Sequence, residues 1–511
     1  MRRDYLQYLG DKMKKDAVIL DCYTDEPSGY GVRPYIGSHQ INLSQALSYK
    51  SITHKYLTID DLRFSNEAHA ANETNIRILN TTKNKHQAHE IIANAGIIYI
   101  VMGCFVDYNY FSAVPPKSNE IYELLKNSKA KKILFYVMGS ATEISPEYSS
   151  SKLKNIIDHV ETGNTYRYIL ESTNSNLILS NYEQLGKVTG HETPILNQLD
   201  YPVIAEIETG IGCNTPTCSF CIESKKKIRI DYREPSDIIK QVKTLYDQGV
   251  RHFRLGRQPN FYHYQWGNSE KLSELLYGIR TACPNLITLH IDNANMIDVI
   301  KPEGIKFTKI ISDYCTSGNI APFGVESFDE KVRLINRVIG SPDQVIKAIE
   351  ILNEYGSEKG ADGQPKLLPG INLIHDLNGQ TERTHEKNLS YLEKILSLGL
   401  HTRRLYYRQV TNSTGVSFSQ DNKSTKYYEK CFDEITNNFV IPMQYEVFPK
   451  NSVLSGFREV IYRGNCNQLR TLGTCSLKVN IKNSKPLKPY GHYSINVLEH
   501  TGPNTLDGTL V

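Results

Sequence analysis

Between Tyr201 and Asn412, short apolar runs alternate with helix-patterned stretches about six times, and no other feature limits the fold so strongly. The runs are "YPVIAEIET", "RHFRLG", "LITLHID", "APFGVES", "KLLPGINLIHD" and "RRLYYRQV". The stretch after the first is helical by pattern. Ser236 can cap it, Ile238, Ile239, Val242, Leu245 and Tyr246 share one face, and Gly249 can end it. Strands separated regularly by helices build a parallel sheet, because a parallel pair needs a crossover long enough for a helix. Six units are too few for the closed eight-unit barrel. The expectation for residues 201–412 is therefore a partial, six-unit barrel of TIM type.

The first 140 residues carry a second α/β pattern. Apolar strands "AVILDCY", "KYLTID", "GIIYIVMG" and "KKILFYVMG" are spaced by helical stretches such as "SNEIYELLKNS". This predicts a doubly wound, Rossmann-like domain over residues 1–140. Ligands of such sheets sit at the carboxyl ends of strands, where Cys22, Asp25, Cys104 and Asp107 fall. No G-x-G-x-x-G follows any of these strands, so the dinucleotide fingerprint is missing. The loop "DEPSGYGVRPYIG" reads equally as a ligand loop or a domain contact. Residues 141–200, rich in Ser, Asn and Tyr, read as a connecting region, and residues 435–511 as a small β-rich C-terminal domain.

With 511 residues, 22% charged and a net charge of only +4, the composition is that of a multi-domain globular protein without a dominating charge. No run approaches the roughly 18 continuous apolar residues of a spanning helix. The first residues lack the apolar core of a signal peptide. A cytoplasmic address is expected, where thiols stay reduced. Ten cysteines then read as metal ligands, reactive thiols or small buried hydrophobes rather than disulfides.

Three of them stand together in "GCNTPTCSFC", as Cys213, Cys218 and Cys221, on the loop that leaves the first barrel strand. A structural zinc site commonly uses two separated pairs, and no second pair is present. A closed iron–sulfur cluster wants a fourth cysteine. A [4Fe–4S] cluster on three thiolates, with one iron open, suits the loop's position at the barrel's carboxyl end, where such barrels keep their active sites. Phe220 would shield it from water. Unligated core thiols are the third alternative. Cys315, in "DYCTSGN" before the fourth strand, is a candidate hydrogen-atom donor or a buried structural thiol, and Cys283 reads as structural.

These phrases together resemble the radical S-adenosylmethionine (SAM) superfamily, whose usual signature is C-x3-C-x-Φ-C with Φ aromatic. The first gap here is one residue longer. The resemblance implies that Cys213, Cys218 and Cys221 bind three irons of a [4Fe–4S] cluster and that SAM chelates the fourth through its amino and carboxylate groups. Reduction then cleaves SAM to methionine and a 5′-deoxyadenosyl radical. It further implies cofactor contacts from Gly256, Arg257 and Gln258 in "FRLGRQPN", where the family's acidic residue is replaced, and from Asn293 in "HIDNAN". Asp292, Asn293 and Asn295 are equally good helix caps. Glu326 and Ser327 in "FGVES" are implied to meet SAM or substrate. Asn372 belongs to the adenine-supporting "PGIN" motif, with His375 standing where a Gly is common.

More narrowly, "LDCYTDEPSGYGVRPYIG", "GRQP", "IDNAN", "PGIN" and "RRLYYRQV" resemble an uncharacterised, largely archaeal branch with the layout of methylthiotransferases and cobalamin-binding radical enzymes. Cys22 and Cys104 are too few for the methylthiotransferases' second cluster. The D-x-H-x-x-G phrase of many cobalamin enzymes is absent, which still leaves cobalamin bound without His ligation as an option. Tyr406 and Arg408 are expected inside the barrel, where Arg could recognise a phosphate or carboxylate or form a structural salt bridge. The resemblance implies an enzyme of transferase type, a reductant of ferredoxin or flavodoxin kind, and a tRNA, protein or small-molecule substrate. A weak likeness of the C-terminal domain to the RNA-binding TRAM barrel accompanies it. The different-class alternative is a non-catalytic iron–sulfur carrier or binding protein.

Overall fold

The computed structural model describes residues 16–23, 35–64, 80–103, 115–136, 146–162, 164–171, 181–221, 223–224, 228–410, 422–463, 465–482 and 485–511. Asp25, Cys104, Asp107 and most of the loop after Tyr23 lie outside them. The chain divides into two compact units, residues 1–207 with 236–250, and residues 208–235 with 251–511.

The first unit is built on strands β1 (Ala17–Asp21), β2 (Tyr35–Ile36), β3 (His54–Thr58), β4 (Ile97–Met102), β5 (Lys131–Tyr136) and β6 (His159–Thr162). Five of them form one sheet in the order β3-β1-β4-β5-β6, parallel throughout. Buried on both faces, β1 and β4 need apolar residues at every position, and their sequences supply them up to Asp21. Counting these five strands along the chain gives the order 2-1-3-4-5, the flavodoxin-like doubly wound arrangement, with its switch point between β1 and β4.

Two expected boundaries need correction. Residues 141–200 are no mere connector: they add β6 to the sheet and supply the helices Thr165–Glu171 and Asn181–Val188, both packed on the helix Ser38–Tyr49. The helix Pro235–Asp247, read as the barrel's first crossover, belongs to the first unit. A polar ladder holds it there. Buried Gln241 donates to Asn42 Oδ1 and Gln45 Oε1, each at 2.8 Å, and Gln45 donates on to the Thr189 and His191 carbonyls. Strand β2 runs parallel to β7 (Ile204–Glu208), pairing Tyr35 with Ile204.

In the second unit, β8 (Gly210–Ile211) and β9 (Asp231–Tyr232) form a short antiparallel pair. Then follow β10 (His252–Gly256), β11 (Thr288–Ile291), β12 (Asn319–Glu326), β13 (Leu367–His375) and β14 (Arg404–Gln409). Pairing is parallel between β10 and β11 and along β12-β13-β14, and a parallel bridge from Ala294 to Phe323 links the two groups. With β7, the six parallel strands foreseen from the sequence are present. The C-terminal region closes a five-stranded barrel, β15 (Val453–Arg463), β16 (Cys466–Thr471), β17 (Lys478–Lys482), β19 (Thr505–Leu510) and β18 (Tyr493–Gly502) in spatial order. Its start falls later than the expected residue 435. Residues 422–447 are helical, because Cys431, Ile435, Phe439, Met443 and Val447 recur at helical spacing and are all buried. Among the described residues no helix is long and apolar enough to cross a membrane.

Candidate functional site

The three-cysteine loop is an excursion clamped at its base by the β8–β9 pair. Gly212 makes the exit turn at φ +82°, and a Cβ there would meet the Ile230 backbone at 2.9 Å. Side chains of the loop then tie it to the barrel's carboxyl end. Asn214 donates to Asp298 Oδ2 at 3.0 Å, Thr217 to the Arg337 carbonyl at 3.1 Å, and Ser219 to Asn336 Oδ1 at 3.2 Å. Phe220 packs against Val332, Leu377 and Val410. The loop is thereby fixed before any ligand binds.

Its three thiols are half-buried and electrostatically coupled to one another. Burial, then the neighbouring Cys221 thiol and Glu326, pushes Cys218 up to about 12. Burial likewise pushes Cys221 to about 11 and raises Cys213, opposed by N–H donors from Glu223 and Thr215 respectively. The Thr215 N–H lies 3.4 Å from Cys213 Sγ. Among the described residues no three Cys, His, Asp or Glu side chains converge as ligands of a single ion. One zinc would draw its sulfurs to about 2.3 Å from one point. Three partly shielded thiols on one loop, each electrostatically coupled to another, suit a cluster that takes each thiolate on a different iron.

Around the loop stand the strand ends. The Thr209 N–H donates to the Gly256 carbonyl at 2.9 Å, joining the exit of β7 to that of β10. A Cβ on Gly256 would lie 2.5 Å from Asp292 Oδ2, so only glycine lets this carboxylate approach. Asp292 pairs with fully buried Arg254 and accepts the Arg257 N–H at 3.1 Å. It thus fixes Arg257 at φ +64° while the Arg257 guanidinium holds Glu208 at 3.2 Å. Gln258 follows, 2% exposed, and neither amide atom has a hydrogen-bond partner. Its Oε1 lies against Gly210, at the base of the cysteine loop. A buried amide left open on both sides is costly unless a ligand completes it.

Glu326, at the end of β12, is likewise held at a positive φ of 61°. Burial pushes its carboxyl up to about 8, against the pull of Arg333 and Arg408. Two backbone strains at one strand-end rim mark a site over-determined by its surroundings. Arg333, which the sequence reading passed over, maintains the second. Fully buried, it donates to the carbonyls of Val325, Ser327 (3.0 Å), Ile339 and Gly340 (2.9 Å). Asp298 was missed too, although it binds both Asn214 and Asn260. An acidic residue three places after a helix cap reads as part of the helix start and gives no signal of a site.

Several sequence candidates fall elsewhere. Ser327 is completely buried, its Oγ engaged with Asn388 and the Asp329 N–H, away from the mouth. Asn295 is a helix cap, accepting the Ile297 N–H at 3.0 Å, and the Asn293 carbonyl accepts from Phe261. Cys315 caps the helix Pro302–Tyr314 and precedes the amino end of β12, opposite the cysteine loop, with a half-buried thiol that desolvation pushes up to about 12. That position removes it from the mouth. Cys22 is a core residue of the first unit, and Cys283 is buried at a helix end. Asn372 is half-buried on β13 and accepts from Arg404 at 3.3 Å.

A family model described as "Radical SAM superfamily" matches residues 207–392, spanning the cysteine loop and β10 to β13. The chain belongs to the radical SAM superfamily. It is 33% identical to an uncharacterized protein of Methanocaldococcus jannaschii, over 97% of this chain and 93% of that one. A second uncharacterized protein, from Archaeoglobus fulgidus, is 30% identical over 94% of this chain and 90% of its own length. Among solved structures, the cobalamin-dependent SAM radical enzyme OxsB with aqua-cobalamin bound superimposes with a TM-score of 0.51 at 12% identity, covering 83% of this chain and 56% of that one. That likeness is one of fold. Membership brings a [4Fe–4S] cluster and SAM as the cofactors and makes the chain an enzyme of radical SAM type.

Proposed function

We propose that this chain is a radical SAM group-transfer enzyme. Cys213, Cys218 and Cys221 hold the cluster, and SAM lies in the barrel mouth against Gly256, Arg257, Gln258 and Glu326. The open, buried amide of Gln258 at the foot of the cysteine loop carries the reading, since a polar group of SAM would satisfy it. When bound, the reduced cluster supplies one electron to SAM and yields methionine and the 5′-deoxyadenosyl radical. Phe220 and its apolar neighbours exclude water from that reaction. Arg333 keeps Glu326 in its strained turn, where a protonated carboxyl donates a hydrogen bond instead of adding charge beside the thiolates. Arg257 and Glu208 brace the β10 turn.

The group transferred is a methyl or methylthio group in this reading, and the acceptor is a tRNA, a protein or a small molecule. An electron donor of ferredoxin or flavodoxin kind serves the cluster. A cobalamin-dependent methyltransferase is the sharper version. It is supported by the 2-1-3-4-5 sheet order, by buried Tyr23 at φ +60° just past the switch-point strand β1, and by the cobalamin of OxsB.

The test is anaerobic reconstitution, reduction in the presence of SAM and quantification of 5′-deoxyadenosine. An intact cluster that yields none overturns the enzymatic reading. Visible spectra of the protein after incubation with hydroxocobalamin decide the cobalamin version, and mass spectrometry of tRNA, proteome and metabolites with and without the gene identifies the acceptor.

A further inference from the structure

A cavity lies at the amino end of β14, where the helical stretch 422–447 and the C-terminal barrel meet the parallel strands. Thr402, Arg403, Leu405, Phe439, Met443 and Asn504 are among its walls, and no described carboxylate lines it. It has room for about one water-sized group. Phe439 reaches it from a π-helical turn, Thr436–Val440, a rare geometry that recurs at functional sites.

Arg403 sets the chemistry of this cavity. The residue is only 4% exposed. Its Nη1 donates to Asn504 Oδ1 at 2.7 Å and its Nη2 to the Cys475 carbonyl at 3.0 Å, while its buried Nε has no acceptor. The guanidinium lies 5.1 Å from the centroid of the Phe448 ring. Both acceptors are neutral and sit in turns of the C-terminal barrel, Cys475 between β16 and β17 and Asn504 between β18 and β19. The groups that act electrostatically on Arg403 include no carboxylate, and Arg404 among them repels it.

A guanidinium keeps its proton in a protein. Burying its charge is costly, and two neutral acceptors with one ring face offset only part of that cost. A water in the cavity would accept from Nε yet leave the charge unbalanced. An anion completes both. Room for one water-sized group excludes phosphate and organic carboxylates and admits a monatomic ion. Leu405, Phe439 and Met443 make the other walls apolar, and the Thr402 N–H is already engaged by Met443 Sδ at 3.2 Å. Such walls suit a singly charged ion over one of higher charge.

We infer that this cavity is a binding site for one halide-sized monovalent anion, such as chloride, held by Arg403 Nε. Because Arg403 also grips two turns of the C-terminal barrel, the anion braces that barrel against the amino end of β14. The site is separate from the cysteine loop and its chemistry does not involve the cluster.

The experiment uses the full-length protein exchanged into chloride-free gluconate buffer. Crystals are grown with bromide and diffraction is recorded at the bromine absorption edge, where an anomalous peak within about 3.5 Å of Arg403 Nε is expected. In solution, the melting midpoint is followed as chloride replaces gluconate at constant ionic strength. The wild-type midpoint should rise saturably, by about 5 °C at a hundredfold excess over Kd. The exposed control K306Q should respond equally, and R403M should not respond. A peak-free cavity that holds only water, a wild-type midpoint indifferent to the exchange, or a chloride response kept by R403M overturns the site. Bromide in the crystal without any response in solution marks an adventitious ion only and also overturns it. Should R403M fail to fold, the crystal and the wild-type titration need no variant and still decide.

Discussion

The two units both end parallel strands in buried polar groups, yet they treat those groups in opposite ways. In the first unit, fully buried Arg63 holds Asp60 at 2.9 Å and Glu120 at 2.7 Å, and Asp21 accepts from Tyr23 N–H, Gln40 and Tyr56. The charges of Arg63, Asp60 and Glu120 are completed within the unit, and of this network the Gln40 Oε1 is left without a partner. The barrel rim of the second unit instead keeps three thiols, two residues at positive φ and an amide with no partner. A completed network contributes rigidity, whereas an uncompleted one is held open by its surroundings for a ligand. The contrast separates a charge network that holds its own unit together from a rim that its surroundings keep open.

Four measurements break or sharpen that contrast. Replacing Cys213, Cys218 and Cys221 with Ala is expected to remove iron, the visible cluster absorbance and all 5′-deoxyadenosine. Far-UV circular dichroism should keep the first unit's contribution, and loss of that too would dissolve the contrast. Next, Arg63→Met leaves Asp60 and Glu120 buried without their cation and should cost roughly 3–5 kcal/mol of stability in urea, while iron content stays at the wild-type level.

The third measurement is pH dependence, which should have opposite sign for a buried carboxyl of the first unit and a buried imidazole of the second. Burial raises Asp21 from 3.8 to about 6, so the folded carboxyl keeps a proton that the unfolded one gives up. This favours folding at low pH and is lost, by about 3 kcal/mol, as pH rises from about 4 through 6. Burial lowers His290 from 6.5 to about 4, so the folded ring refuses a proton that the unfolded one takes. Its contribution is lost, by a similar amount of about 3 kcal/mol, as pH falls from 6.5 through 4. Urea midpoints between pH 4 and 7.5 should flatten on the first slope in Asp21→Asn and on the second in His290→Gln. The smallest stability effect is reserved for Gln258→Leu. With no hydrogen bond to lose, it should change stability by less than about 0.5 kcal/mol or raise it, yet weaken SAM binding about tenfold by equilibrium dialysis.

Much of this was legible from residue order. Short continuous apolar runs alternating with helical periodicity announced both α/β regions, because strands buried on both faces are apolar throughout while helices bury one stripe. The three thiols stood out as metal-ligand candidates because ligand type and spacing are written in one loop, and the resemblance to the radical SAM superfamily made the cluster the expected occupant. What failed was argument from position along the chain. Ser327 sits beside Glu326 in sequence, but neighbouring residues at a strand end point to opposite sides, so one reaches the rim and the other Asn388. Cys315 precedes a strand rather than following one, which sends it to the other end of the barrel. The helix Pro235–Asp247 has the periodicity of any amphipathic helix, and only the distant partners Asn42 and Gln45 assign it to the first unit.

The sequence by itself determined the fold class and the three cluster-binding candidates through local spacing, and the family through the resemblance of its motifs. Tertiary structure alone decided that Gln258 is buried without a partner, that Arg257 and Glu326 are strained, that Arg333 spans four carbonyls, and that Arg404 and Arg408 stack on the Tyr406 ring. Those properties belong to groups brought together from separate strands. Desolvation and hydrogen-bond completion depend on such neighbours, and no single stretch of chain contains them.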